Sequence, residues 1–220
     1  MITVTPNFNL SDSQIIENRL KVINGWKPQR EVWSLKYGDL MIAGLACING
    51  AIINSIFRKS LKLRHHGWKF TMLFVSTGPA IAAYGCHKSF ITEHVLLHQP
   101  KCMTCEELKA SAFLEGNALL YSLLVAPIIN LGIAGSIGYR IPYLYEVKEL
   151  MKFWWSVVRP QARTISFIFF CNIVVSSAVT YSQITSMEKI TNNVLKIHKY
   201  LENRKNTGMD LEPSNKNLLP

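Results

Sequence analysis

Cys102 and Cys105 are separated by Met103 and Thr104, and this pair has the most evident chemical potential in the chain. Two thiols at that spacing can form a short structural disulfide, remain free, supply half of a zinc site or act as a redox pair. Zinc needs two further ligands. His94 and His98 lie just upstream, four apart, so two cysteines and two histidines can be drawn together, but neither a zinc-finger spacing nor a small apolar core surrounds them. A thioredoxin-type oxidoreductase needs a βαβ setting that a short loop between apolar stretches does not supply. The weight therefore falls on a disulfide, with free thiols next, then zinc and redox catalysis. Cys47, Cys86 and Cys171 fall inside or at the edge of apolar stretches and read as packing residues.

No other catalytic constellation is present: there is no glycine-rich phosphate loop, no G-x-S-x-G and no H-E-x-x-H. His65 and His66 are adjacent, point in different directions and have no neighbouring cysteine or carboxylate to complete a metal site. The chain is accordingly expected to be a non-enzyme with no catalytic residue, cofactor or metal.

A second group of residues carries polarity into otherwise apolar surroundings. Asn172, Ser176 and Thr180 recur at intervals of four and are joined by Gln183; Ala43, Ala46 or Cys47, Gly50 and Asn54 form a face of small residues ending in an amide. Pro127 and Asn130 precede Gly132, Gly135 and Gly138, a glycine edge on a proline-kinked helix. Small residues let membrane helices approach closely, so these faces are expected to pack against helices of this chain or of a partner. Asp39 and Glu115 stand at the edges of apolar stretches, where water and headgroups reach them, and add little to an ion-handling reading.

The elements that must position these residues are four stretches without a charged residue: Leu40 to Phe57, Phe70 to His87, Gly116 to Tyr139 and Thr164 to Met187. At about 1.5 Å per residue the shorter two reach roughly 27 Å and the longer two roughly 36 Å, against a hydrocarbon core of about 30 Å. Lipid offers no substitute for an unmade backbone hydrogen bond, so each must be helical. The expected fold is all-α, an integral-membrane four-helix bundle with short amphipathic interfacial helices. Its expected parts are an N-terminal region over 1–37 and a membrane domain over 38–187, with spans at about 38–57, 70–87, 114–138 and 164–187. A polar tail follows over 188–220, disordered toward its end.

Composition agrees with this. Of the 220 residues 49% are hydrophobic and only 17% charged, and the formal charge is +10. The 24 Lys and Arg are spread over every non-spanning segment, which argues against nucleic acid and for snorkelling toward lipid headgroups. Arg58, Lys59, Lys62, Arg64 and Lys69 make an acid-free first loop, read as headgroup-facing. By basic density the first and third loops belong on the "inside". That places the Cys102–Cys105 loop on the opposite side, which agrees with an oxidising compartment.

Ser11-x-x-Gln14 is a capping box opening an amphipathic helix within residues 7–26, expected on the membrane surface with Trp26 and Trp33 as anchors. Residues 140–163 hold Tyr143, Tyr145, Phe153, Trp154 and Trp155 and end in Arg159-Pro160-Gln161-Ala162-Arg163, which reads as an interfacial helix and a turn. The first 18 residues contain no Lys or Arg and no long apolar run, so neither a secretory signal nor an ordinary cleavable mitochondrial presequence is expected there.

Asn54-Ser55-Ile56-Phe57-Arg58-Lys59 ends the first span, Cys102-x-Thr104-Cys105 precedes the third, and Trp155 followed by Arg159-Pro160-x-x-Arg163 precedes the fourth. In these three motifs, in register with the spans over about residues 35–185, the chain resembles the transmembrane protein 126 family, with its Asn-Ser-x-Phe-Arg-basic run and its Cys-x-Thr-Cys. The resemblance implies a multi-pass protein of the mitochondrial inner membrane that assists assembly of respiratory complex I, binding membrane-arm subunits and other assembly factors. It implies no catalytic residue. The alternative from the residues themselves is a small four-helix transporter or channel, drawn from Pro127, the glycine edge and the stripe from Asn172 to Gln183.

Overall fold

The computed structural model describes residues 11–63, 65–97, 102–138 and 147–206. Eight α-helices account for most of them, and there is no strand among the described residues. The first, α1 (Asp12–Gly25), begins at the expected capping box, where the Ser11 N–H donates to Gln14 Oε1 at 3.1 Å. One face of α1 is held by the protein itself: Ile23 is buried, and the Arg19 guanidinium donates to the Leu96 carbonyl. Burial draws that guanidinium below the ordinary arginine value. Trp26 is also buried, whereas Trp33 is exposed, so only the second of the two expected anchors faces outward.

Helix α2 (Trp33–Ser60) is the axis of the molecule. Its 28 residues reach roughly 42 Å, more than the hydrocarbon core requires. Its buried positions, among them Leu35, Gly38, Ile42, Ala46, Asn49, Ile53 and Phe57, recur every three or four residues, the period of one helix face. Arg58 and Lys59 fall in the last turn, where cations complement the helix dipole. Arg58 does not face headgroups as expected: it turns inward, because Thr71 and the His66 carbonyl offer its donors partners. Arg64 lies outside the described residues.

Helix α3 (Trp68–His87) runs through a π-helical turn, Lys88–Thr92, into the short α4 (Glu93–Leu97). After the loop, α5 (Met103–Leu114), a second π-helical turn at Glu115–Leu120 and α6 (Tyr121–Ser136) form one continuous helix, Met103–Ser136. That helix starts well before the expected span, because Glu106, Glu107 and Lys109 end the apolar stretch without ending the helix, all three being compatible with helical backbone. Then come α7 (Val147–Val158), a 3-10 turn around Pro160, and α8 (Ala162–Asn206). At 45 residues α8 is roughly 67 Å long and continues past the expected span end at 187, since Ile190 and Val194 still find apolar partners in the cluster with α1. Tyr143, Tyr145, His98 and residues 207–220 lie outside the described residues.

Among the described residues three helices are long and apolar enough to cross a membrane: Trp33–Ser60, Met103–Ser136 and Val147–Arg204. At 20 residues α3 has the length, but Ser76, Thr77, Pro79, Tyr84 and His87 dilute its apolarity, and it does not stand with these three. The core forms three layers along α2. One end gathers Ile23, Leu35, Ile91, Leu96, Ile184 and Ile190; the middle holds Ile42, Ala46, Leu114 and Val179; the far end holds Ile53, Phe57, Val75 and Val157. Large side chains such as Leu40, Ile81, Phe167, Phe170 and Val174 are exposed instead, as lipid-facing surfaces require.

Candidate functional site

The residues with chemical character inside the bundle form a polar spine, presented mainly by α2 and met by the other long helices at three levels. At the level nearest the α2 N-terminus, Asp39 Oδ1 accepts from Thr92 Oγ1 at 2.6 Å and lies 2.8 Å from His87 Nδ1. Gln183 of α8 donates from Nε2 to the Ser34 carbonyl and to Thr92 Oγ1, both at 3.2 Å, and Ser34 Oγ faces Ser186 Oγ at 3.3 Å. Gly38 makes room for this contact, since a Cβ there would stand 2.8 Å from Gln183 Nε2.

At the middle level, Asn49 Nδ2 donates to Asn172 Oδ1 at 2.7 Å, and Asn172 Nδ2 reaches Glu115 Oε2 at 3.4 Å, where the second π-helical turn begins. At the far level, Asn130 Nδ2 donates to Asn54 Oδ1 at 2.8 Å, and Asn54 Nδ2 to Thr71 Oγ1 at 3.3 Å. Arg58 completes it, donating to Thr71 Oγ1 at 2.9 Å and to the His66 carbonyl at 2.8 Å. Asn54, Thr71, Asn130, Asn172, Ser176, Thr180 and Gln183 are all fully buried.

Buried amides in paired contacts fix which helix meets which and in what register, because sliding one helix by a residue strands several donors. Spare capacity remains: Asn130 Oδ1, Gln183 Oε1, Ser176 Oγ and Thr180 Oγ1 have no hydrogen-bond partner among the described residues. No group of three or more metal-ligating side chains occurs among them either.

The sequence-selected residues divide sharply. Gly50 lies against the Val75 carbonyl of α3, and Asn54, Asn172, Ser176 and Thr180 all point into the bundle. Gly132, Gly135 and Gly138 are exposed, with open space where a Cβ would sit at Gly132 and Gly138. None of the described helices uses that edge. Cys102 and Cys105 are joined in a disulfide at the N-terminus of α5, where Cys102 Sγ also accepts the Cys105 N–H at 3.3 Å. Trp155, Arg159, Pro160 and Arg163 are exposed on α7, the turn after it and the start of α8.

Sequence reasoning missed Asn49, Thr71, His87, Thr92 and the inward turn of Arg58. The signal for Asn49 was its place on the stripe through Ile42, Ala46 and Ile53. For His87 it was position: antiparallel neighbours bring the start of α2 and the end of α3 to the same face, so Asp39 and His87 had to be close.

Comparison with known families covers this whole arrangement. The family model for transmembrane protein 126 matches residues 12–196, from the start of α1 to beyond the last spine residue. The chain belongs to the transmembrane protein 126 family. A relative from Drosophila melanogaster, named Transmembrane protein 126, is 32% identical over 154 residues, which is 69% of this chain and 69% of that protein. No solved structure gives a significant match. The transmembrane protein 126 match therefore takes in α1, the polar spine, the Cys102–Cys105 pair and the exposed glycine edge, and leaves out the segment after residue 196.

Proposed function

We propose that this chain is a non-enzymatic assembly factor or scaffold for the membrane arm of respiratory complex I, held in the mitochondrial inner membrane as a multi-pass protein with α3 as its fourth span. The observation that carries this reading is the bare glycine edge of α6. Gly132 and Gly135 line a smooth, exposed strip beside a buried face already filled by the chain's own spine, and Gly138, expected on the same helix edge, lies beyond the helix end at Ser136 with a φ of 87°. Close helix approach is the main source of packing energy between membrane helices, so such a strip suits the helix of a partner subunit. Family membership supports the same reading, as do spine polar groups engaged in fixing shape and not in lining a passage.

The test is depletion of the protein followed by separation of native membrane complexes. Complex I intermediates should stall or disappear, and affinity isolation from mild-detergent extracts should recover membrane-arm subunits. Normal assembly at normal rates would remove the idea.

A second reading, a small transporter or channel, draws on Asp39 and His87, ionisable groups held inside helices that meet within the bundle. Purified protein in liposomes should then carry an ion or metabolite, and Asn172→Leu should abolish the flux. Absence of flux for the solutes tried would count against it.

A further inference from the structure

Between α1, α2 and the junction of α3 with α4 lies a cavity of about 380 Å³. Its floor is apolar, built from Ile23, Leu35 and Leu96, and its walls carry four charged side chains, Lys36, Asp39, Lys88 and Glu93. Oppositely charged groups around one small cavity would ordinarily pair. Here none of the four pairs with another among the described residues: Lys36 Nζ bonds the neutral Gln29 Oε1 at 2.8 Å, Lys88 Nζ lies 5.7 Å from the Tyr84 ring centre, and Asp39 Oδ1 meets His87 Nδ1 at 2.8 Å. Asp39 is 12% exposed, and while its Oδ1 takes both His87 and Thr92, its Oδ2 accepts no bond from the described residues. Two cations and two carboxylates are thus held apart around a space. A ligand carrying one charge of each sign would satisfy both sets.

The cavity also has a defined depth. Tyr37 and Tyr84 flank it, aromatic side chains of the type that sits at headgroup level. Three residues further toward the bundle centre on the same two helices, Leu40 and Ile81 are among the most exposed apolar side chains of the chain, at 63% and 73%. An acyl chain leaving the cavity would run directly along them.

We propose that this cavity binds the headgroup of a zwitterionic phospholipid bearing a primary amine. The ammonium donates to Asp39 Oδ2 and to Glu93, the phosphate meets Lys36 and Lys88, and the first acyl carbons lie on the apolar floor. A trimethylated ammonium has no N–H to donate, and a glycerol headgroup brings no ammonium to Asp39 Oδ2 and Glu93, so the site discriminates by headgroup and not by chain. The inference does not depend on the assembly role proposed above.

The experiment uses the full chain in mild detergent, titrated with phosphatidylethanolamine, phosphatidylcholine and phosphatidylglycerol of identical acyl chains and read by native mass spectrometry. Charge-assisted hydrogen bonds to a primary ammonium should favour phosphatidylethanolamine over phosphatidylcholine by about tenfold. Asp39→Asn should abolish that preference. Should Asp39→Asn fail to fold, the variant Lys36→Ala with Lys88→Ala, which alters side chains on the cavity rim, should weaken phosphatidylethanolamine binding by about tenfold while the protein stays folded. Excess phosphoethanolamine without acyl chains should leave the lipid adduct in place. Equal binding of the amine and trimethylamine lipids, undiminished binding in the double lysine variant, or displacement by phosphoethanolamine would each overturn the proposal.

Discussion

Asn49 of α2 and Asn172 of α8 face each other as a buried amide pair, Nδ2 to Oδ1 at 2.7 Å, joining helices 123 residues apart in sequence. The pair sits between the two other polar levels and extends to Glu115 through the second Asn172 donor. A contact of this kind fixes the relative rotation and height of two helices that apolar side chains alone would let slide.

Replacing Asn49 by Leu removes the donor and strands Asn172 Oδ1 in the core. The expected loss is about 1 kcal/mol, since hydrogen bonds between membrane helices average roughly 0.6 and reach about 1.7 kcal/mol. Asn172→Leu should cost more, because Glu115 is stranded as well. A double-variant cycle read by reversible denaturation in mixed micelles should show positive coupling between the two positions, and strict additivity would deny the pair its role.

Gly50 and Gly132 look alike in sequence and differ completely in place. A Cβ on Gly50 would collide with the Val75 carbonyl and come within 3.1 Å of Ser76 Cα, backbone that can yield only by separating α2 from α3. Gly50→Ala should therefore destabilise the protein by about 1–3 kcal/mol, the usual cost of overpacking. Gly132→Ala meets nothing within 4 Å, so in the isolated protein it should be neutral or slightly favourable in micelle denaturation. Its effect should appear instead as reduced recovery of partner subunits from extracts.

This contrast marks how far the sequence could be read. The all-helical membrane fold, the burial of Asn54, Asn172, Ser176 and Thr180, and the pairing-competent spacing of Cys102 and Cys105 follow from period, length and local spacing. Those are properties of a single helix or loop. Which side of α6 faces the bundle is not such a property: Asn130 and the glycines both mark it as special, but only assembly with α2 decides that Asn130 turns inward to Asn54 and leaves Gly132 outside. Arg58 was hidden for a related reason, because a basic residue after an apolar run reads as a headgroup contact unless a receiving hydroxyl and carbonyl are known to be near.

Arg58 is 5% exposed and supplies donors to both the Thr71 hydroxyl and the His66 carbonyl, tying the end of α2 to the loop and to the start of α3. Arg58→Ala should cost about 1.5–3 kcal/mol, the usual worth of hydrogen bonds made by a charged donor, because two buried neutral acceptors are left unpaired. Lysine should not rescue it, for an ammonium on a flexible stem cannot reproduce the fixed guanidinium fork that meets two acceptors at once. Micelle denaturation of both variants checks this, and a stable Arg58→Lys protein would show that charge, not geometry, is what matters there.

Cys102 and Cys105 close a ring at the first turn of α5, on an exposed surface next to buried Glu106, which is itself held by Lys109 at 2.9 Å. A cross-link over so short a loop restricts few unfolded conformations, so its contribution is at most about 2 kcal/mol in the chain-entropy model. Cys105→Ser should lower stability by no more than that, and Cys102→Ser should retain part of the helix start because a hydroxyl can still accept the N–H of residue 105. In native membranes a maleimide probe should leave both positions unlabelled until a reductant is added, after which two labels should appear within α5 and its cap. Labelling before reduction would mean that the pair stands as free thiols in the membrane, leaving the N–H to Sγ contact as the local stabiliser of that helix end.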